Sequence, residues 1–180
     1  QPRIIPILNL KEDSLIKNKK FIEKIYLGDA LNTVRVLNDL DVDELIFLDI
    51  FSSRLSKKIN FHMIEKIASE CFMPLTYGGG VKNFEDIKTL FSIGIEKISF
   101  NSLIFEDFNT FAKVCDTYGA QSVIASIDLI EEDNNFEIFI KNATQKIELS
   151  LEEIIKKLNN LGVGELLITD INREGMRCGY

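Results

Sequence analysis

With 180 residues, 46% hydrophobic and 27% charged, the chain is long enough for one sizeable globular domain. Its 21 basic and 28 acidic residues give a net charge of −7, which argues against a nucleic-acid-binding surface. It has no signal peptide and no apolar run of about 18 residues, so we expect a cytoplasmic protein that does not enter a membrane. The widely spaced Cys71, Cys115 and Cys178 form no zinc or redox motif and indicate reduced thiols.

Short apolar runs rich in β-branched residues alternate with segments of helical periodicity along the chain. In chain order we predict strand Arg3–Leu10, helix Ala30–Leu40, strand Glu44–Ile50, helix Asn60–Cys71, strand Pro74–Tyr77, helix Asn83–Ile93, strand Lys97–Asn101, helix Phe105–Tyr118, strand Ser122–Asp128, helix Ser150–Leu161 and strand Glu165–Thr169. Nearly continuous apolar strands between helices indicate a parallel sheet of βα units, buried on both faces.

Local signals support several helix boundaries. Ser150 and Glu153 form a capping box, and Asn83 is followed by two acidic residues. Three glycines stand where helices should end: Gly94, Gly119 and Gly162.

Two segments depart from the alternation. Asp13–Leu27 predicts a long basic loop after the first strand, and loops of this length are usually functional or disordered. Glu131–Glu148, polar at both ends, alternates in polarity over Phe136–Ile140 and predicts a small excursion such as a hairpin.

A short internal sequence repeat predicts that the fold has two similar halves. Val42–Ile50 resembles Val163–Ile171, with identical residues at five positions. In a barrel of two halves, Asn9 and Asp128 would be counterparts that face each other across the mouth. The chain opens on Gln1 and stops just after a loop, with six predicted strands. We therefore expect a (β/α)8 TIM-type barrel with about six of its eight units, a single domain over residues 1–180 that is C-terminally incomplete.

Polar residues gather at the carboxyl ends of the predicted strands, where parallel barrels place their reactive groups. These positions are Asn9 with Lys11, Asp49, Gly78–Gly80, Asn101 with Ser102, Asp128, and Thr169 with Asp170. Such a mouth suits proton transfer and a polar ligand. The only histidine, His62, lies in a predicted helix, so this chain offers no histidine triad or histidine metal site.

Each strand-end feature has a simpler explanation beside the functional one. Gly78–Gly80 could cradle a phosphate with its backbone N–H groups, or form a tight turn. The neighbouring Asn101 and Ser102 favour the phosphate modestly. Asp128 could be a general acid or base, or a carboxylate that caps a loop.

Charged residues open four of the strands: Arg3, Glu44, Lys97 and Glu165. A ring of salt bridges that stabilises the barrel floor is the simpler interpretation. The same ring could close a passage along the barrel axis, and composition leaves both interpretations open.

Six stretches, within a likeness that runs over the whole chain, resemble the cyclase subunit of imidazole glycerol phosphate synthase, the HisF family. They are Arg3–Lys11, Asp43–Ile50, Tyr77–Val81, Lys97–Ser102, Ser126–Asp128 and Thr169–Tyr180. The resemblance implies a (β/α)8 barrel of duplicated halves, no cofactor or metal, and a heterodimer with a HisH-like glutaminase that supplies ammonia.

The resemblance also implies roles for single residues. The positions that match contacts to a phosphorylated small-molecule ligand are Lys17, Gly80, Asn101, Ser102, Thr169, Glu174 and Gly175. Among them, Lys17 matches the lysine of a mobile first loop, and Glu174 stands where the family has an aspartate. The family's charged gate, through which ammonia enters, matches Arg3, Glu44, Lys97 and Glu165.

One departure from the family bears on the chemistry. Asp128 matches one of two catalytic carboxylates, and the other falls on Asn9. Asparagine cannot exchange a proton near pH 7, and loss of a positioned acid or base typically costs ~10²–10⁴-fold in rate.

This departure favours HisF-like paralogues of bacterial surface-polysaccharide clusters. With a HisH-like glutaminase and a separate sugar amidotransferase, these deliver ammonia for acetamidino sugars of lipopolysaccharide. The residues at 3–6 and 70–74, with Tyr77, also resemble that branch. A genuine histidine-pathway cyclase is the alternative. A third candidate, the isomerase that precedes the cyclase, has no use for an ammonia gate.

Overall fold

The computed structural model describes residues 2–12, 14–50, 58–133 and 135–178. Asp13, the first residue of the predicted basic loop, and the chain ends Gln1 and Tyr180 lie outside the described residues. The chain divides into two compact units, the first formed by Gln1–Lys17 and Lys24–Ile98 and the second by Asn18–Glu23 and Ser99–Tyr180. The predicted single domain over 1–180 stays a prediction.

Strands and helices alternate through the described part of the chain. The strands are β1 Ile7–Lys11, β2 Ser14–Lys19, β3 Glu23–Asp29, β4 Leu45–Asp49, β5 Leu75–Gly78, β6 Lys97–Phe100, β7 Val123–Glu132, β8 Asn135–Ile140, β9 Gln145–Ile147 and β10 Glu165–Asp170. The helices are α1 Ala30–Asp39, α2 Phe61–Glu70, α3 Phe84–Ser92, α4 Ser102–Glu106, α5 Phe108–Tyr118 and α6 Leu151–Asn160, with a 3-10 turn at Ala120–Ser122. This order confirms the predicted α/β class. None of the described helices is long and apolar enough to cross a membrane.

In the first unit, β4 lies between β1 and β5, and all three strands are parallel. Residues Leu45–Phe47 of β4 are buried in succession, as expected for a strand that is covered on both faces. Ile64 and Ile67 of α2 are buried in the same core. Strand β1 begins at Ile7 rather than at the predicted Arg3, because Pro6 has no N–H group to donate to a sheet.

In the second unit, β7 pairs in parallel with β10 and antiparallel with β8, and β9 extends the hairpin beyond β8. The predicted hairpin within Glu131–Glu148 is therefore confirmed. Strand β7 continues to Glu132, beyond the predicted end at Asp128, because its last residues pair with β8. Its residues Val123–Ile127 are all buried.

The predicted helix ends are confirmed where a side chain or a glycine specifies them. Ser150 Oγ accepts the N–H of Glu153 at 3.2 Å, and Glu153 Oε2 accepts the N–H of Ser150 at 3.0 Å, which completes the capping box. Asn83 Oδ1 caps α3 by accepting the N–H of Asp86 at 2.9 Å. Three glycines that follow helices have positive φ angles: Gly94, Gly119 and Gly162.

The single helix predicted over Phe105–Tyr118 is wrong. The structure has two helices there, α4 and α5, and Asp107 lies between them with a non-helical backbone (φ −148°, ψ 77°). Asp107 Oδ1 accepts the N–H of Thr110 at 3.0 Å and so caps α5. An aspartate favours this capping position over the interior of a helix, which explains the break.

The basic loop predicted over Asp13–Leu27 is also wrong in its conformation. From Ser14 onwards the segment forms strands β2 and β3, and β2 pairs antiparallel with β1. The consecutive Leu15 and Ile16 are both buried, so β2 is covered on both faces and not solvated like a loop. Lys17 consequently lies on a strand and not in an irregular loop.

The two units repeat one pairing pattern. Asn9 of β1 stands opposite Leu48 of β4, and Asp128 of β7 stands opposite Thr169 of β10. The internal sequence repeat aligns Leu48 with Thr169, so the two repeated segments also have the same strand register. Each of these residues is also paired with an antiparallel hairpin strand. Asn9 of β1 pairs with Ile16 of β2, and Asp128 of β7 pairs with Phe139 of β8. That these two residues face each other stays a prediction.

Candidate functional site

Asp128 lies in the second unit, one residue before Leu129, the last residue of β7 that pairs with its parallel partner β10. The side-chain amide of Asn101, the residue before α4, reaches it: Asn101 Nδ2 donates to the carbonyl oxygen of Ser126 at 3.1 Å and to Asp128 Oδ2 at 3.4 Å. Because register partners point to the same face of a sheet, Thr169 of β10 accompanies Asp128 on that face. The structure thus brings together three residues that the sequence placed at strand ends.

The surroundings of Asp128 suit proton transfer near neutral pH. Burial, and secondly the negative charge of Glu174, raise the pKa of Asp128 from its ordinary value of 3.8 to about 7. A carboxyl group with such a pKa is present in both protonation states at neutral pH, as a general acid or base requires.

The turn after β10 brings Glu174 back beside β7. Asp170 begins the turn, because its Oδ1 accepts the N–H of Asn172 at 2.9 Å and its carbonyl oxygen accepts the N–H of Glu174 at 2.9 Å. The N–H of Ile171 donates to the carbonyl oxygen of Leu129 at 2.9 Å, which attaches the turn to the strand that carries Asp128. Glu174 is half-buried in this arrangement.

The tip of the first hairpin contacts the same turn. The N–H of Lys20 donates to the carbonyl oxygen of Glu174 at 3.0 Å. Gly175 has a φ of +72°, and a Cβ atom at this position would overlap the carbonyl oxygen of Asn18. A glycine is therefore needed where the two backbones approach each other. The role of Gly175 beside a ligand phosphate stays a prediction.

The remaining predicted mouth residues lie in the first unit or at the start of α4. Asn9 and Lys17 are half-buried on β1 and β2, and the mobility implied for Lys17 stays a prediction. A Cβ on Gly79 would overlap the carbonyl oxygen of Asp49, so the glycine run makes a close approach to the end of β4. This contact supports the tight-turn interpretation. The phosphate role of Gly80, in the first unit, and of Asn101 and Ser102, in the second, stays a prediction.

Glu44 is the centre of a charged cluster at the strand starts of the first unit. Its Oε2 lies 2.7 Å from Lys97 Nζ, and its Oε1 pairs with Arg3 Nη1. The side chains of Glu44, Lys97 and Arg3 are 9%, 18% and 50% exposed, so the carboxylate is the most buried of the three. Two cations compensate this buried charge. Glu165, the fourth predicted member, belongs to the second unit.

Two contacts were missed from the sequence. Asn101 was assigned to a phosphate, yet its amide contacts Asp128. Tyr77 donates its hydroxyl to Asp49 Oδ2 at 3.3 Å in the first unit. In both pairs the sequence placed each residue near the end of a predicted strand, and that shared position was the available signal.

Comparison with known proteins gives a consistent result over nearly the full length. The family described as "Histidine biosynthesis protein" matches residues 3–180. A Pseudomonas aeruginosa protein provisionally named imidazole glycerol phosphate synthase subunit hisF2 is 40% identical over 99% of this chain and 71% of its own. A Leptospira borgpetersenii protein provisionally named imidazole glycerol phosphate synthase subunit HisF is 40% identical over 100% of this chain and 72% of its own length.

A third relative carries the name without that reservation. The imidazole glycerol phosphate synthase subunit HisF of an Exiguobacterium species is 33% identical over 99% of this chain and 70% of its own. Together with the parallel strands, the family match confirms the predicted fold class, a (β/α)8 TIM-type barrel of which this chain has about six units.

Proposed function

This chain belongs to the histidine biosynthesis protein family as a HisF-like imidazole glycerol phosphate synthase subunit, and from that premise we propose that it receives ammonia from a HisH-like glutaminase. Its proposed task is to pass this ammonia through the barrel to a sugar amidotransferase for the synthesis of an acetamidino sugar of lipopolysaccharide. The name of the Exiguobacterium relative, as a subunit of a synthase, supports a partner subunit.

The observation that carries the proposal is the pair of residues at equivalent strand positions. Asp128 and Asn9 have the same register in the two repeated halves, each opposite the matched residue of the next parallel strand. One half therefore offers a carboxylic acid and the other an amide that neither gives nor takes a proton near pH 7. Cyclisation by two carboxylates would lack one of them, whereas passage of ammonia needs neither.

The cluster around Glu44 supports the proposed entrance for ammonia. Its charges lie at or before the starts of β1, β4 and β6, whereas Asn9 lies in the later part of β1. Lys97, paired with Glu44 at 2.7 Å, is proposed as the side chain that closes this entrance and opens it by rotation. Glu165 is proposed as the fourth member of this gate.

Turnover of the purified chain with ammonium salt and the ribulosyl-formimino aminoimidazole nucleotide tests the proposal. We expect very low activity, and recovery by Asn9→Asp on the scale of a restored acid–base residue, ~10²–10⁴-fold. Asn9→Asp combined with Asp128→Asn is the control and should stay inactive. Robust turnover by the unchanged chain would exclude the ammonia-delivery role as its sole task.

A histidine-pathway cyclase is the second candidate function, and one observation favours it. The half-buried Asp128, with a pKa of about 7, has the properties of an acid–base catalyst, which a subunit that only conducts ammonia would not need. In that case Asp128 transfers the proton, the ligand phosphates bind through residues such as Asn101 and Gly175, and the unchanged chain is active in the same assay.

A further inference from the structure

Strand β3 exposes apolar side chains at three consecutive positions, all in the first unit. Ile25, Tyr26 and Leu27 are 53%, 68% and 56% exposed. Because neighbouring residues of a strand point to opposite faces, both faces of β3 present apolar surface to solvent. The adjacent strand β2 differs, since Leu15 and Ile16 are buried there in succession. The packing that covers β2 on both faces therefore does not extend to β3.

The backbone edge of β3 is open at the same place. Within the described part of the chain β3 is hydrogen-bonded to β2, and no second strand pairs with it. Natural edge strands are usually shielded by charges, by proline or by being very short. Strand β9, an edge strand of the second unit, is three residues long and exposes Gln145 and Lys146. Between Lys24 and Asp29 of β3 there is neither a charge nor a proline, so this edge can pair with a further strand.

The charges at the two ends of this segment select the direction of such a pairing. Lys24 stands at the start of the apolar run and Asp29 at its end. Two copies of β3 in antiparallel direction bring the cationic end of each strand beside the anionic end of the other. Parallel pairing would set like charges side by side, which is unfavourable. A second copy of this chain is therefore electrostatically complementary to β3 in the antiparallel direction.

The sequence of β3 also favours one symmetric register. Neighbouring residue pairs of an antiparallel ladder differ in their hydrogen bonding, so a two-fold axis must set one residue opposite its own copy. With Tyr26 on the axis, Ile25 of each copy lies opposite Leu27 of the other. Moving the axis by one residue would place Tyr26 opposite Gly28 or Lys24. The register centred on Tyr26 is thus the one that pairs all three apolar residues with apolar residues.

We propose that two copies of this chain associate through β3, by antiparallel pairing about a two-fold axis at Tyr26. On one face the two Tyr26 side chains meet, and on the other two Ile25–Leu27 pairs form, which are the contacts that stabilise a sheet. This interface is isologous, so it closes after two copies. One pair of short strands is a small contact, and the dimer is therefore reversible and concentration-dependent. The dimer does not depend on the proposed function.

Sedimentation velocity of the full chain over a range of concentrations tests the proposal. We expect a monomer–dimer equilibrium. Tyr26→Lys sets two like charges directly opposite each other on the axis and should weaken association by ~10-fold or more. Phe72→Lys is the matched control, because Phe72 is an aromatic residue of the first unit that lies outside β3 and is 86% exposed. It should leave the association constant unchanged. A chain that stays monomeric, or an equal effect of the two variants, would overturn the proposal.

A cysteine variant tests the register and keeps the proposal testable if Tyr26→Lys does not fold. In a Cys178→Ser background, Tyr26→Cys treated with oxidised glutathione should form a disulfide-linked dimer. Opposed residues in an antiparallel pair have Cβ atoms roughly 4.5–5.5 Å apart, close to the separation in a disulfide. Leu40→Cys in the same background, also at an exposed apolar position of the first unit, should remain monomeric. Equal cross-linking of the two variants, or none at Tyr26→Cys, would count against this interface.

Discussion

Replacing Gly175 by alanine should detach the tip of the first hairpin from the turn after β10. Two costs arise. The φ of +72° is a left-handed conformation in which an alanine costs about 1–2 kcal/mol. In addition, the new Cβ would lie closer than 3.0 Å to the carbonyl oxygen of Asn18, so one backbone must move. Movement of the tip breaks the hydrogen bond from Lys20 to Glu174, worth about 0.5–1.5 kcal/mol.

Gly162→Ala separates these two costs. Gly162 has almost the same φ, +70°, but nothing lies within 4 Å of a Cβ built on it. Both variants should therefore have the left-handed strain, lessened by about 0.4–1 kcal/mol because alanine restricts the unfolded chain. Only Gly175→Ala should have the further loss, so its free energy of unfolding should fall by about 1 kcal/mol more than that of Gly162→Ala.

Denaturant unfolding and amide hydrogen exchange measure the two effects. Gly175→Ala should accelerate exchange at the Lys20 amide, and Gly162→Ala should not. Equal loss of stability in the two variants, with unchanged protection of Lys20, would refute the idea that this glycine is required by the hairpin contact.

Two further predictions concern Asp128 and Lys97. The pKa of Asp128 is raised in the folded chain, so its contribution to stability is fully present below about pH 3.8 and is lost as the pH rises through about 7. Asp128→Asn, an uncharged mimic, should therefore raise the free energy of unfolding at pH 8, by at most about 4 kcal/mol, and change it little at pH 4; an equal change at both pH values in denaturant unfolding would contradict this. Lys97→Ala removes the ion pair with Glu44 at the strand starts and should alter glutamine-dependent activity of the glutaminase complex several-fold while leaving ammonia-dependent activity unchanged; equal effects on both activities would count against a channel.

Elements whose signals are local were predictable from the sequence. The capping box of Ser150 and Glu153 and the buried run Leu45–Phe47 depend on residues close together in the chain, and both have the predicted structure. The hairpin of β2 and β3 was missed because its lysines suggested a solvated loop. Lys17 interrupts a strand in which Leu15, Ile16 and Asn18 are all buried, and only the neighbouring β1 explains that burial.

The sequence predicted which strand-end residues belong to the candidate site, but it did not predict the groups that act on Asp128. Asp128 was identifiable because it ends an apolar run. The amide of Asn101 and the charge of Glu174 act on it from residues 27 positions before and 46 positions after in the chain. Those contacts depend on how β7, β10 and the turn at Asp170 are assembled, and residue type alone does not indicate them.

The two units are interleaved along the chain, because Asn18–Glu23 belong to the second unit although the residues on both sides of them belong to the first. A single cut after Ile98 would not separate them, because the amide of Lys20 would leave with one piece and the Glu174 carbonyl that it binds with the other. The half-barrel repeat seen in the sequence therefore differs from the division by contacts. The hairpin tip, which is encoded in the first half of the chain, is therefore part of the second compact unit.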